Sequence, residues 1–257
     1  MTTISSTIAA TRPKAQNRVL AVTRLQFVNR WTMFYLPAII LGAILLLNMA
    51  IWYIVLASLP TGADVAHAEK GFQYTGAVFY IFIYMLVVAV QAISRTFPFA
   101  LGFGVTRRNY YLGTALSFVV LALGFSVLLT VLSIIELATG GWGVGGHMFT
   151  PTYLTNASFG LRFVMYLCLF LFFLFVGSAI ASVYVRWRAF GITAFFAIIA
   201  LLLVGAIAII TLNHYWSAVG NWLATTGSVG LTAWLLVPAA IAAIAGFFVL
   251  RRATPRS

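Results

Sequence analysis

Polar and apolar positions divide the chain into six uninterrupted apolar runs, at 33–57, 75–93, 110–135, 161–185, 189–212 and 231–250. A helix needs about 20 residues to cross the hydrocarbon core of a bilayer, and each run is close to that length or longer. None alternates with a period of two, as a barrel strand would. Lipid offers the backbone no hydrogen-bonding partner, so a run of this kind satisfies itself as a helix. The pattern predicts an all-α, polytopic integral membrane protein with six transmembrane helices. Pro37 and Pro238 predict bends in the first and last of them.

The stretch ahead of the first run has a different pattern. Leu20, Phe27, Val28 and Trp31 share one helical face, while Thr23, Gln26, Asn29 and Arg30 occupy the other. This predicts an amphipathic helix lying in the membrane interface, with Arg24 reaching out of the apolar arc. Residues before Pro13 are expected to be disordered. The organisation is therefore an N-terminal segment at 1–32, a six-span domain at 33–250 and a tail at 251–257. Ala66-His67-Ala68 imitates a signal-peptidase site, but the apolar run before it is longer than a signal core of about 7–15 residues. It reads as a retained first span.

Charge gives these runs an orientation. Of the 15 Lys and Arg residues, thirteen fall before the first run, between the second and third, between the fourth and fifth, or after the sixth. The alternate connections hold only Lys70 and Arg162, together with all 3 acids, Asp64, Glu69 and Glu136. The positive-inside rule then predicts both termini in the cytoplasm, N-in/C-in. Composition agrees: 63% hydrophobic and 7% charged residues, with a mean hydropathy of +1.07, leave too few charges to cover a water-facing surface. The net charge of +12 is explained by these inner connections, so nucleic acid is not an expected partner.

Candidate chemistry is sparse. The chain has no phosphate-binding loop, no HExxH, no CxxC and no GxSxG, and Cys168 is its single cysteine. No non-spanning segment is large enough for a catalytic domain, so an enzyme is not expected and any energy source must lie on another chain. The middles of the spans hold no ionisable side chain of the kind that marks a proton or sodium path. Asn48 and Gln91 are the main polar groups there. Small residues cluster in the fourth run (Gly177, Ser178, Ala181, Ser182) and the sixth (Ala239, Ala242, Ala243, Gly246), a spacing that lets helices approach closely. Glu136 ends the third run. It is read either as a group meeting a cationic substrate or gating its passage, or as half of an exposed interfacial ion pair with Arg162.

The connection between the second and third runs mixes phenylalanines with paired arginines: Phe97-Pro98-Phe99-Ala100-Leu101-Gly102-Phe103-Gly104-Val105-Thr106-Arg107-Arg108-Asn109-Tyr110-Tyr111-Leu112-Gly113. Apolar residues flanked by cations suit a short helix docking into a partner. This stretch resembles the corresponding loop of the type-2 permease subunits of ATP-binding-cassette (ABC) exporters, particularly the small actinobacterial ones. The six-span layout and the interfacial helix resemble that family too. The resemblance implies a multi-pass permease of a bacterial plasma membrane, paired with a second permease, the same or related, and with two copies of an ABC ATPase subunit. It implies no cofactor in this chain, with ATP and Mg on the partner.

Phe97, Phe99, Leu101, Phe103, Arg107 and Arg108 would then couple the permease to the ATPase. Asn48, Tyr84 and Glu136 are candidates for a substrate path, and a hydrophobic or amphipathic compound (drug, antibiotic, lipid or peptide) is the expected cargo. The segment 213–230, with Tyr215, Trp216 and Trp222, either dips back into the outer leaflet or forms an interfacial aromatic belt. The alternative to a transporter is a non-transporting membrane protein for self-protection or scaffolding.

Overall fold

The computed structural model describes residues 18–60, 62–152 and 157–253. The segment expected to be disordered, and the last four residues of the tail, lie outside the described residues. Within them the chain is helical, with no strand. In order, the helices are α1 (Arg18–Gln26), α2 (Trp31–Ser58, its first turn π-wound), α3 (Gly62–Phe72), α4 (Phe79–Gly102), α5 (Arg107–Ala138), α6 (Phe159–Leu212), α7 (Trp216–Trp234) and α8 (Leu236–Arg251). Five helical stretches are long and apolar enough to cross a membrane: α2, α4, α5, α6, and α7 continuing into α8.

Local chemistry sets the ends of these helices. Thr106 is extended and its Oγ1 accepts the Asn109 N–H at 3.3 Å, capping α5; Ser158 does the same for Leu161 at 3.4 Å, capping α6. α4 passes through Pro98 and stops only at Gly104. There a left-handed backbone (φ 73°) lets Gly104 N–H reach the Leu101 carbonyl and Val105 N–H reach the Ala100 carbonyl. That pair of bonds closes the helix, and only glycine adopts its conformation without strain.

The fourth and fifth runs form one helical stretch, α6, of 54 residues. At 1.5 Å per residue this is about 81 Å, far beyond a bilayer core of about 30 Å. A break at Arg188 (φ 58°, ψ −147°) divides it. Gly227 (φ 64°) breaks α7 in the same way.

The core is built by α4, α5, the first half of α6 and α8. The rings of Phe82 and Phe125 pack at a tilt against that of Phe170 in its centre, with centroids 4.7 and 5.8 Å away. The small residues are where the helices touch. A methyl group on Gly177 would lie 2.6 Å from the Leu86 carbonyl of α4. One on Gly246 would lie 3.1 Å from the Tyr111 hydroxyl and 3.5 Å from those of Ser178 and Ser182. The second half of α6 is different: every residue from 196 to 209 is exposed. α2 buries only Met33, Pro37, Leu41 and Trp52, and α7 buries nothing.

Candidate functional site

At one end of the bundle the polypeptide gathers arginines. Arg18 donates to the Gly104 carbonyl at 3.4 Å and Arg107 to the Arg251 carbonyl at 2.9 Å, drawing α1, the α4–α5 turn and the end of α8 together. α1 is fixed there by a polar network. Thr23 donates to the Gly113 carbonyl at 2.9 Å. Gln26 donates to the hydroxyls of Thr96 and Thr114 at 3.1 and 3.0 Å, and Thr96 bonds the Tyr110 hydroxyl at 2.7 Å. The sequence pattern assigns Thr23 and Gln26 to the polar face of an interfacial helix. They are instead buried against α4 and α5, while Leu20, Val28 and Trp31 stay exposed. The face that docks is Val19, Val22, Thr23 and Gln26, a three-four spaced stripe whose polar members find side-chain and carbonyl partners inside the protein.

The coupling segment also differs from its expected form. Phe97, Phe99, Leu101 and Phe103, expected together as coupling residues, do not form one face. Because α4 continues to Gly102, residues two apart point to different sides of a helix. Phe97 turns inward, fully buried, with its ring 5.2 Å from that of Tyr110. Leu101 is half-buried. Phe99 and Phe103, four apart, meet edge to face at 4.6 Å and remain 54% and 73% exposed. They border a shallow apolar groove of about 260 Å³, closed on its other side by Ala21, Val22 and Leu25 of α1. Arg108 is exposed, whereas Arg107 is engaged by α8.

The three residues expected along a substrate path are not brought together. Tyr84 donates to the Thr32 carbonyl at 2.7 Å, joining α4 to the first turn of α2. Asn48 lies sixteen residues further along α2, about 24 Å by helical rise, and its amide bonds the Ile44 carbonyl at 2.9 Å.

Glu136 is at the opposite end of the bundle from the arginines and fully buried. The indole N–H of Trp142 (2.9 Å) and the backbone N–H groups of Met148 (2.9 Å), Phe149 (2.9 Å) and Thr150 (2.7 Å) all donate to it, as does the Thr150 hydroxyl. His147 Nδ1 lies 4.0 Å from it. The expected exposed pair with Arg162 does not form: Arg162 is itself 3% exposed and its guanidinium lies over the Phe159 ring at 5.6 Å. The physical reason is the connection after α5. Left-handed backbone at Gly140, Gly141, Trp142, Gly143 and Gly145 curls the chain over the end of the helix and turns successive N–H groups onto the carboxylate. The arrangement holds a loop in place, and its signal in the sequence is the cluster of five glycines in 140–146.

Among the described residues, no group of three or more His, Cys, Asp or Glu side chains is placed to hold a metal. Comparisons with protein-family models, with curated proteins and with solved structures find no match to this chain.

Proposed function

We propose that this chain is the membrane-spanning permease subunit of an ABC exporter, residing in a bacterial plasma membrane and moving a hydrophobic or amphipathic compound. The ATP that drives it is hydrolysed by a separate ATPase subunit, two copies of which serve a pair of permeases. The observation that carries this reading is the Phe99–Phe103 pair. Two large apolar rings stand exposed at the arginine-rich end of α4, beside an open groove and beyond the apolar run at 75–93. Water penalises each by about 1.5–3 kcal/mol relative to burial, so a partner covering both gains a firm hold on the permease.

The remaining geometry supports six spans with both termini inside. The break at Arg188, next to Arg186, divides α6 into two segments of membrane-crossing length and puts cations at the turn between them. The break at Gly227 gives the connection to the last span a helix-turn-helix form suited to dipping into the outer leaflet. The uncovered surfaces of α2 and of the second half of α6 suit contact with lipid and with a second permease, while the small-residue faces are used within the chain. In this mechanism ATP-driven closure of the ATPases pushes on the end of α4, and the bundle alternates between inward and outward access.

The test is the double variant Phe99→Ala/Phe103→Ala, purified beside the parent chain from a host that supplies the ATPase subunit the parent co-purifies. The expected result is loss of the co-purifying ATPase, or of the stimulation of its hydrolysis, with an unchanged thermal melt of the permease. Retention of a fully coupled ATPase by the folded double variant would overturn the reading.

A further inference from the structure

Between the α1–α2 elbow and α4 lies a second, larger cavity of about 340 Å³. Its walls are of two kinds. Val28, Met33 and Val88 make an apolar side, while Asn29, Gln91 and Arg95 supply polar groups around it. We propose that this cavity binds the headgroup of an anionic phospholipid, with the phosphate on Arg95 and the acyl chains leaving along α2. This rests on the chain being embedded in a membrane and not on its being a transporter.

Charge selects an anion. Arg95 is exposed, and among the described residues no hydrogen bond or ion pair engages it. None of the three acids is near: Asp64 and Glu69 sit in α3, and Glu136 is buried under the glycine-rich loop at the far end of α5. A guanidinium with no carboxylate to answer it, beside amide donors, matches the flat two-pronged geometry of a phosphate.

The polar groups around it are already sorted into roles. Asn29 Oδ1 accepts the Thr32 N–H at 3.2 Å, which leaves its NH2 end to donate. Gln26, only 3% exposed, gives both amide hydrogens to Thr96 and Thr114, which leaves its carbonyl oxygen to accept. A headgroup carrying both a phosphate and a hydroxyl answers all of these, as a phosphoglycerol does.

Size and surroundings select a lipid over a soluble phosphate. The volume suits a headgroup and the first carbons of its chains but not whole acyl tails, which must leave it. Val28, on the apolar wall, is 74% exposed, and the same elbow continues into exposed Phe34 and Ile39 of α2. A tail following that surface stays on apolar side chains from the cavity into the bilayer.

The experiment uses the full chain in a neutral detergent, titrated with phosphatidylglycerol or phosphatidylcholine and read by native mass spectrometry. Phosphatidylglycerol is expected to bind at least tenfold more tightly. Arg95→Gln should lower that affinity to the phosphatidylcholine level, while Arg252→Gln, which removes an equal charge from the same end, should leave most of the preference. Equal losses in the two variants would mean a general surface field of the kind any juxtamembrane arginine contributes, and would overturn the site. Competition by soluble glycerol phosphate as strong as by the lipid would overturn the lipid assignment. Ala92→Phe, which fills the cavity with charge unchanged, should also abolish the preference. If that variant does not fold, Gln91→Ala should weaken binding severalfold, and unchanged binding there would count against the site. Failure of the transporter reading shows in retention of a coupled ATPase by the Phe99→Ala/Phe103→Ala variant and leaves these results untouched.

Discussion

Nη1 of Arg107 donates to the carbonyl oxygen of Arg251 at 2.9 Å, joining the start of α5 to the last turn of α8 across 144 residues of sequence. A cation at a helix C-terminus meets carbonyls that lack an intrahelical partner and the negative end of the helix dipole. Of the two adjacent arginines, one therefore serves the protein's own architecture and only Arg108 is left to face outward.

Arg107→Ala should loosen the end of α8 by about 0.5–1.5 kcal/mol, the usual worth of one hydrogen bond. Hydrogen exchange of the amides at 249–252 should quicken, with Arg108→Ala leaving them unchanged. Equal exchange in both variants would show that the contact does not hold the helix end.

Glu136 makes a larger prediction. Removing a buried acceptor leaves each of its donors unpaired, at about 1–3 kcal/mol apiece. Glu136→Ala should release the amides of Met148, Phe149 and Thr150 to exchange and lower the melting temperature. Glu136→Gln, which keeps one acceptor oxygen, should do so less. A melt and an exchange pattern like the parent's in Glu136→Ala would contradict the observed hydrogen bonding.

Gly113 is the point where α1 rests on α5. A methyl group there would come within 2.6 Å of both the Val19 carbonyl and Val22 Cβ. Gly113→Ala should therefore push α1 off its seat, at a cost of about 1–3 kcal/mol, and break the Thr23 bond to the Gly113 carbonyl. Trypsin cleavage after Arg18 and Arg24 should accelerate, whereas Gly124→Ala, where space is open, should not change it.

Topology is open to direct labelling. Single cysteines at Ala66 and Ser217 should react with impermeant maleimide added to intact cells, and one at Arg108 should not; Cys168 is buried and should stay silent. Reaction at position 108 from outside would invert the proposed orientation.

Much of this architecture was readable from residue order because long apolar helices advertise themselves by composition alone. The six apolar runs fall within five long helical stretches, the fourth and fifth sharing α6 with arginines at its break, and the small-residue faces lie where helices touch. What eluded reading depended on where a helix ends. Pro98 looks like a terminator, yet the helix runs on until Gly104 can turn left-handed, and that extension decides that Phe97 faces inward while Phe99 faces out. Thr23 and Gln26 look solvated because their partners, Gly113, Thr96 and Thr114, are seventy or more residues away. The donors on Glu136 come from a loop whose path is set by backbone dihedrals that no hydropathy pattern reports.

The stretch from 196 to 209 touches no core of its own. α6 is in contact with α7 and α8, but along 196–209 its exposed side chains are left to whatever medium or neighbour encloses them. Spin labels spanning the hinge should report one separation in a thick bilayer, another in a thin one and a third in a micelle. A pair confined to α4 and α5 should read the same in all three. The protein thus carries an uncovered arm beside a packed bundle, and its exposure to its surroundings is concentrated in that arm.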